Sequence, residues 1–277
     1  MTPVMLHPIA LAVLVAAMGV APAVCSNGGA PALRGGEPGF PPSPRAILAK
    51  AHESLEGGAT GMTGNEICDV FGTLAALDDR FARRDASGAR VPGLNSTMLL
   101  YHKPFAQQRA AVVRAAAAAA PYLSGKRAAS LLRHVCTLAP AGFASTALCR
   151  ALVERLLERC HALPPRATAV ALQACGRLGV CDDWLTNALA SRALQPAVMA
   201  AFGPRDVARA ADGVACLQTR QRGQRVLMVL LEALVRRLRT DARLVGRLRR
   251  CSSALVSLLE ALGRLRFCVC VCVCVCV

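Results

Sequence analysis

The sequence predicts an all-α fold built from repeated helical hairpins. Aromatic residues make up only 4% of the 277 residues, far fewer than a β-sandwich or barrel uses. Alanine, leucine and arginine, which are strong helix formers, dominate the composition. A short phrase also occurs twice, as LQACGRLG at 172–179 and as LEALGRLR at 259–266. Such repetition is typical of an α-solenoid, in which stacked hairpins bury their apolar faces on one another, and an irregular helical bundle is the alternative.

The first 25 residues predict a targeting segment. Residues 1–33 contain no charged side chain when histidine is neutral, and an apolar stretch at 9–20 is followed by the small residues at 21–23. This pattern resembles the apolar region and cleavage site of a secretory signal, although no lysine or arginine precedes it. An uncleaved membrane anchor and a misassigned start codon are the alternatives.

Residues 26–64 predict a linker without a stable fold. Glycine, proline and serine dominate this segment, so it has too little apolar surface to offset the entropy lost on ordering. One short helical run is expected within it, at 46–55.

Residues 65–266 predict the helical-repeat domain. Segments that begin at Lys126, Arg166, Arg205 and Ser253 align with one another, and a weaker copy begins at Asn65. The spacing of about 40 residues leaves room for a second helix in each unit, at 146–161, 184–202 and 224–239. Apolar residues recur every three positions in each aligned segment and predict one buried helix face. We expect Gly176 and Gly263, beside that face, to mark close contacts between helices.

The closing residues, 267–277, form a Cys/Val tail of low complexity. Its alternation fits either a β-strand or the translation of a dinucleotide repeat, and the absence of turns and charges favours the second. The other nine cysteines form no CxxC pair, so we expect small apolar thiols in a reducing compartment.

The charge of the chain indicates a polyanionic partner. The net charge is +16, and arginine, whose planar fork of donors suits phosphate, carries nearly all of it. Codon bias in a GC-rich gene would also enrich arginine. Between 220 and 266 stand twelve arginines and only three acidic residues. The predicted RNA-binding residues are Arg236, Arg237, Arg239, Arg243, Arg247, Arg249 and Arg250. A solvated helix face is the alternative interpretation of this cluster.

No motif predicts catalysis, a cofactor or a metal. The chain has no GxSxG nucleophile elbow, and the histidines and cysteines do not follow a zinc spacing. Asp183 is expected to cap a helix that begins at Trp184.

The stretch ALQACGRLGVCDDWLTNAL, at 171–189, resembles the octotricopeptide and heptatricopeptide repeats, and the repeats associated with RAP domains, of organellar RNA-binding proteins. The resemblance implies a non-catalytic protein that binds single-stranded RNA along its concave face. It further implies a role in organellar RNA processing, RNA stability or ribosomes, with the mitochondrion favoured. A protein-binding scaffold of HEAT or armadillo type is one alternative. The other is a secreted or membrane-anchored helical protein, cleaved near Ala23 and glycosylated at Asn95.

Overall fold

The computed structural model describes residues 44–56, 62–81, 83–84, 90–91, 103–180, 182–220 and 224–275. The targeting segment at 1–25, residues 26–43 of the linker and the sequon at Asn95 lie outside these residues.

Helices make up nearly all of the described chain, which confirms the all-α prediction. The helices are α1 (Pro44–Glu56), α2 (Gly64–Phe81), α3 (Lys103–Ala119), α4 (Gly125–Leu138), α5 (Thr146–Arg159), α6 (Pro165–Leu178), α7 (Asp183–Leu194), α8 (Pro196–Ala201), α9 (Pro204–Arg220), α10 (Arg225–Thr240), α11 (Ala242–Arg249) and α12 (Ser252–Val275). The exception in the described residues is an antiparallel pair of two-residue strands, β1 (Arg83–Arg84) and β2 (Arg90–Val91).

The helices stack in two layers. Helices α2, α4, α6, α9 and α12 each pack on the next and form what we call the first-helix layer. Helices α3, α5, α7 and α10 follow the same order and form the second-helix layer. Each hairpin therefore buries its apolar face mainly against its neighbours in the stack, as the repeat prediction requires.

Helix α1 belongs to the packed structure. It lies against α2 and α3, and Leu48 and Ala51 are buried in this contact. The expected short helix is thus present, but the prediction of an unfolded linker does not hold for Pro44–Glu56. Its apolar residues find a surface on the first hairpin, which the local composition could not indicate.

The predicted buried face is confirmed in most of the first helices. In α2, α4, α6 and α9, the aligned positions at Phe71, Leu132, Leu172 and Ala211 are all buried. In α12 the aligned register is wrong. Ala254, Leu258 and Ala261 are buried there, whereas the aligned Val256 and Leu259 are exposed.

The two glycines of the repeated phrase differ in their surroundings. A Cβ atom on Gly176 would lie 2.6 Å from the backbone oxygen of Gly213, so α6 and α9 approach closely at this point. A Cβ atom on Gly263 would meet no atom within 4 Å. The prediction of a close contact is confirmed for Gly176 and wrong for Gly263, because the side of α12 that bears Gly263 is open among the described residues.

Polar side chains fix where several helices begin. Ser124, Ser145 and Asp182 precede α4, α5 and α7, and each accepts a hydrogen bond from the amide three residues later. Helix α7 therefore begins at Asp183 and is capped by Asp182, one residue earlier than expected. The helix predicted at 184–202 is broken, because Pro196 begins α8 after α7 ends at Leu194.

The Cys/Val tail continues the last helix. The backbone of α12 is helical from Ser252 to Val275, so the strand interpretation of the alternating residues is not what the structure shows. Among the described residues, no helix has both the length and the apolar character that crossing a bilayer requires.

Candidate nucleic-acid interface

The predicted arginines gather at the corner between α10 and α11. Arg236 and Arg239 are exposed in the last turns of α10. Helix α11 is held by Leu244 and Leu248, which are buried one turn apart. Its other side presents exposed guanidinium groups. The exposed members of this set, which we call the corner cluster, are Arg236, Arg239, Arg243, Arg247, Arg249 and Arg250.

Asp241 fixes the direction in which α11 leaves the corner. Its Oδ1 accepts a 2.8 Å hydrogen bond from the amide of Leu244, which caps the helix. Residues Arg243, Arg247 and Arg250 follow at spacings of four and three, so they project from one side of the helix. Arg243 and Arg247 therefore lie along one face of a short, anchored helix, and Arg250, its C-terminal cap with helical backbone angles, continues that face.

Arg237 is the exception among the predicted residues. Its guanidinium donates to the carbonyl oxygens of Met199, Ala200 and Phe202, and its side chain is only 12% exposed. It also faces Asp241 at 3.9 Å. The structure thus gives Arg237 an internal role, in which it connects α10 to the last turn of α8 and to Phe202, just before α9.

The same tie recurs in two earlier hairpins. Arg155 of α5 donates to the carbonyl oxygen of Leu123, just before α4, at 2.6 Å. Arg192 of α7 donates to the carbonyl oxygen of Leu163, just before α6. In each unit an arginine of the second helix thus holds the chain where the first helix begins. We call this contact a clamp, and Arg237 provides the third one. A count of charges along the sequence cannot distinguish Arg237 from its exposed neighbours.

Replacing Arg237 by glutamine is expected to lower the free energy of unfolding by about 1 to 3 kcal/mol. The loss follows because hydrogen bonds from a charged donor to three carbonyl groups disappear. Denaturation in urea would measure it. The matched control is Arg236→Gln, at an exposed site on the same helix, which should stay within about 0.5 kcal/mol of the parent. Equal stability of the two variants would contradict the clamp.

The arginines of the corner cluster differ from many others in their ion pairing. None of its six arginines takes part in an ion pair within the described part of the chain. Elsewhere such pairs are common, for example Arg127 with Asp69 at 3.2 Å and Arg155 with Glu158 at 2.9 Å. Within the part of the chain that the structure describes, the corner therefore presents positive charge that no ion pair neutralises.

A second group of arginines, which sequence reasoning missed, lies in the first-helix layer. Arg133 of α4, Arg166 of α6 and Arg205 of α9 are exposed, and Arg209 lies one turn after Arg205. Burial lowers the pKa of Arg209, and repulsion from the other three arginines lowers it further. We call these four residues the first-helix cluster. The signal was present in the sequence, because the aligned segments at 166 and 205 both begin with arginine.

A buried carboxylate joins three first helices nearby. Asp212 of α9, which is 1% exposed, accepts a 2.7 Å hydrogen bond from Arg177 of α6 and another from Arg264 of α12. The side-chain amide of Gln173 donates to the same carboxylate at 2.9 Å. Because all three donors point at one buried acid, this network holds the stack together.

Two buried titratable groups are held in their neutral forms. Burial, together with the neighbouring Arg133, lowers the pKa of His134 to about 4, so this ring is neutral at physiological pH. Burial raises the pKa of the Cys175 thiol to about 12. Within the described residues, histidine, cysteine and acidic side chains form no group of three that could hold a metal. The positive surface is thus the most distinctive chemical feature of the described chain.

Comparison with known proteins found no match: no protein-family model matches the chain, and neither does a curated protein or a solved structure.

Proposed function

We propose that this chain is a non-catalytic helical-repeat protein that binds single-stranded RNA through the corner cluster of α10 and α11. The observation that carries the proposal is the set of six exposed arginines that form no ion pair within the described residues. The resemblance of residues 171–189 to organellar repeats supports RNA as the polyanion and an organelle, with the mitochondrion first, as the compartment.

The unpaired charge favours binding over a purely solubilising role. Arg243 and Arg247 stand four residues apart on α11, and like charges at that spacing destabilise a helix by about 0.2 to 0.5 kcal/mol. A surface that served only solubility would gain from alternating acidic residues, which α11 lacks. A chain of phosphates relieves the repulsion and releases counterions.

The corner suits recognition of the backbone rather than of particular bases. Helices α10 and α11 contain no aromatic residue on which a base could stack. Arginine forks bind phosphate oxygens in any sequence. We therefore expect similar affinity for unrelated single strands.

Changing Arg243, Arg247 and Arg250 together to glutamine is expected to weaken the binding of unrelated single-stranded RNAs by similar factors. The slope of log affinity against log salt should become shallower by up to about 0.7 for each phosphate contact that is lost. Fluorescence anisotropy of labelled oligonucleotides over a range of salt concentrations would measure both quantities.

The matched control changes Arg114, Arg150 and Arg159 to glutamine. These three arginines are exposed on α3 and α5 in the second-helix layer, so the control removes the same charge from another surface. Affinity and salt slope should change less in the control than in the α11 variant. An α11 variant that folds normally and binds as the parent does would reject the RNA-binding role of the corner and favour a protein scaffold.

Crosslinking to RNA in the native cell tests the partner and the compartment together. Recovery of organellar RNA bound to the chain would support the proposal. Recovery of the chain without RNA from the secretory pathway, with glycan on Asn95, would instead support the secreted alternative.

A further inference from the structure

Cations recur at one position of three successive first helices. Lys126, Arg166 and Arg205 are each the second residue of their helices, α4, α6 and α9, and each is exposed. These helices pack side by side in that order. Packed helices lie about 8 to 10 Å apart, so the three residues form a row across the helices.

The packing at the helix starts shows that the helices of this row run in the same direction. A Cβ atom on Gly64, the first residue of α2, would lie 2.7 Å from Leu123, just before α4. A Cβ atom on Gly125, the first residue of α4, would lie 2.7 Å from Leu163, just before α6. Successive first helices therefore begin side by side, and residues at equivalent positions are neighbours across the layer.

The first-helix cluster adds two arginines, Arg133 and Arg209, to this row. Arg209 is close enough to Arg133, Arg166 and Arg205 to be repelled by all three, and its ion pair is with Asp206 at 3.4 Å. Four guanidinium groups from three helices thus lie near one another, and only Arg209 among them takes part in an ion pair within the described residues.

The first-helix cluster adjoins the corner cluster. The Arg205 guanidinium lies beside the thiol of Cys251, at the start of α12. Arg249 and Arg250, the last residues of the corner cluster, immediately precede Cys251 in the chain. Helix α11 also packs directly on α9. The two basic regions therefore meet at Cys251.

We propose that a single RNA strand held by the corner cluster continues past Cys251 onto the first-helix layer, where Arg205, Arg209, Arg166 and Arg133 bind its phosphates. This proposal rests on the proposed function. A polyanion fits better than a single anion, because the cations extend over three helices, a distance of about 20 Å. Arginine fits phosphate because its fork can donate two parallel hydrogen bonds.

Length dependence tests the extended track in the full chain. The first-helix variant changes Arg133, Arg166 and Arg205 to glutamine and keeps Arg209, which is paired with Asp206. Two unstructured oligonucleotides of about 4 and about 16 nucleotides span the usual range of single-strand site sizes. We expect the variant to bind the longer strand at least about tenfold more weakly at low salt, with a salt slope shallower by up to about 2.

The short strand separates the two proposals. It should bind the corner alone, so the first-helix variant should bind it as the parent does, whereas the α11 triple variant should lose both strands. If the first-helix variant matches the Arg114, Arg150 and Arg159 control on the longer strand, the extended track is wrong and the corner remains. A parent chain that binds neither strand would reject the proposed function itself.

Single variants test the extended track if the triple variant does not fold as the parent does. The single variants Arg133→Gln and Arg166→Gln, at exposed sites, replace the triple variant if its helical circular dichroism or melting differs from that of the parent. Each should weaken binding of the longer strand, and parental affinity in both would overturn the track.

Polyglutamate of matched charge is the probe for an acidic protein. If it binds as tightly as RNA and loses the same factor in the first-helix variant, the partner is an acidic protein and the RNA track is wrong.

Discussion

Replacing Gly213 by alanine is expected to destabilise the protein by about 1 to 3 kcal/mol, although the addition of a methyl group to a helical glycine is normally stabilising. A Cβ atom at this position would lie 2.5 Å from the carbonyl carbon and oxygen of Leu172 and 2.7 Å from the amide nitrogen of Gln173. These are backbone atoms of α6, which cannot rotate away as a side chain would. Helices α6 and α9 would have to separate, and overpacking of this kind typically costs about 1 to 3 kcal/mol.

The expected change in stability is opposite in direction to that at an ordinary helical glycine. Glycine inside a helix is normally about 1 kcal/mol less favourable than alanine, so the substitution would stabilise an ordinary site. Gly263 of α12 offers that ordinary site, because a Cβ atom there would meet nothing within 4 Å. Gly263→Ala is therefore expected to stabilise the protein by up to about 1 kcal/mol, and Gly213→Ala to have the opposite effect.

Urea denaturation followed by far-ultraviolet circular dichroism, which reports on helix content, would measure both variants. Gly176→Ala is a second probe of the same contact, since its Cβ atom would lie 2.6 Å from the oxygen of Gly213. A Gly213→Ala protein as stable as the parent would mean that α6 and α9 do not approach as closely as the structure has them.

The sequence predicted one side of this contact and missed the other. Gly176 lies in the repeated phrase, beside a column of apolar residues that recurs in every aligned segment. Gly213 has no such recurrence, and its importance depends on which part of α6 it faces. Periodicity identifies the buried face of a helix, but the closest point between two helices is set by their crossing in three dimensions.

The error in α12 has a related cause. The alignment placed Val256 and Leu259 inward, because they match apolar columns of the other segments. The structure buries Ala254, Leu258 and Ala261 instead. Helix α12 packs both on α9 and on the short helix α11 before it, and the alignment of sequence columns takes no account of this second contact.

The count of charges along the sequence located the exposed corner cluster correctly, but it did not predict the role of each arginine. Six of the seven chosen arginines are exposed, but Arg237 bonds to carbonyl groups of the turn before α9. Arg237 and these carbonyl groups are far apart along the chain, so no local sequence pattern predicts the contact. The first-helix cluster was missed for the opposite reason, because its members are far apart in sequence and become neighbours only when the helices stack.

The Asp212 network also depends on stacking. Its carboxylate is buried in α9, and its charged partners come from α6 on one side and α12 on the other. Arg264 donates to Asp212 Oδ1 at 2.7 Å and to the Cys216 sulfur at 3.1 Å. Burying a carboxylate is costly unless charge and hydrogen bonds compensate it, and here two guanidinium groups and one amide do so.

Asp212→Ala is expected to lower the free energy of unfolding by about 2 to 3 kcal/mol, because Arg177, Arg264 and Gln173 lose their hydrogen bonds to a carboxylate. The two guanidinium groups that remain are 45% and 39% exposed, so water solvates them in part and limits the loss. Glu260→Ala is the matched control: Glu260 contacts the same Arg264 at 3.7 Å but is 56% exposed. An exposed pair contributes at most about 1 kcal/mol, so this variant should remain close to the parent. Urea denaturation of both variants would compare the two acids directly.

A double-mutant cycle between Asp212→Ala and Arg264→Ala would show whether the network joins α12 to the stack. Groups in one hydrogen-bonded network couple by about 0.5 to 3 kcal/mol, so the double variant should be less destabilised than the sum of the single variants. The same cycle with Arg177→Ala tests the side toward α6. Coupling to Arg177 alone would mean that Asp212 belongs only to the α6–α9 interface and that α12 is held by its apolar residues, Leu258 and Ala261 among them. Coupling to both would establish the buried carboxylate as the link between three successive units of the stack.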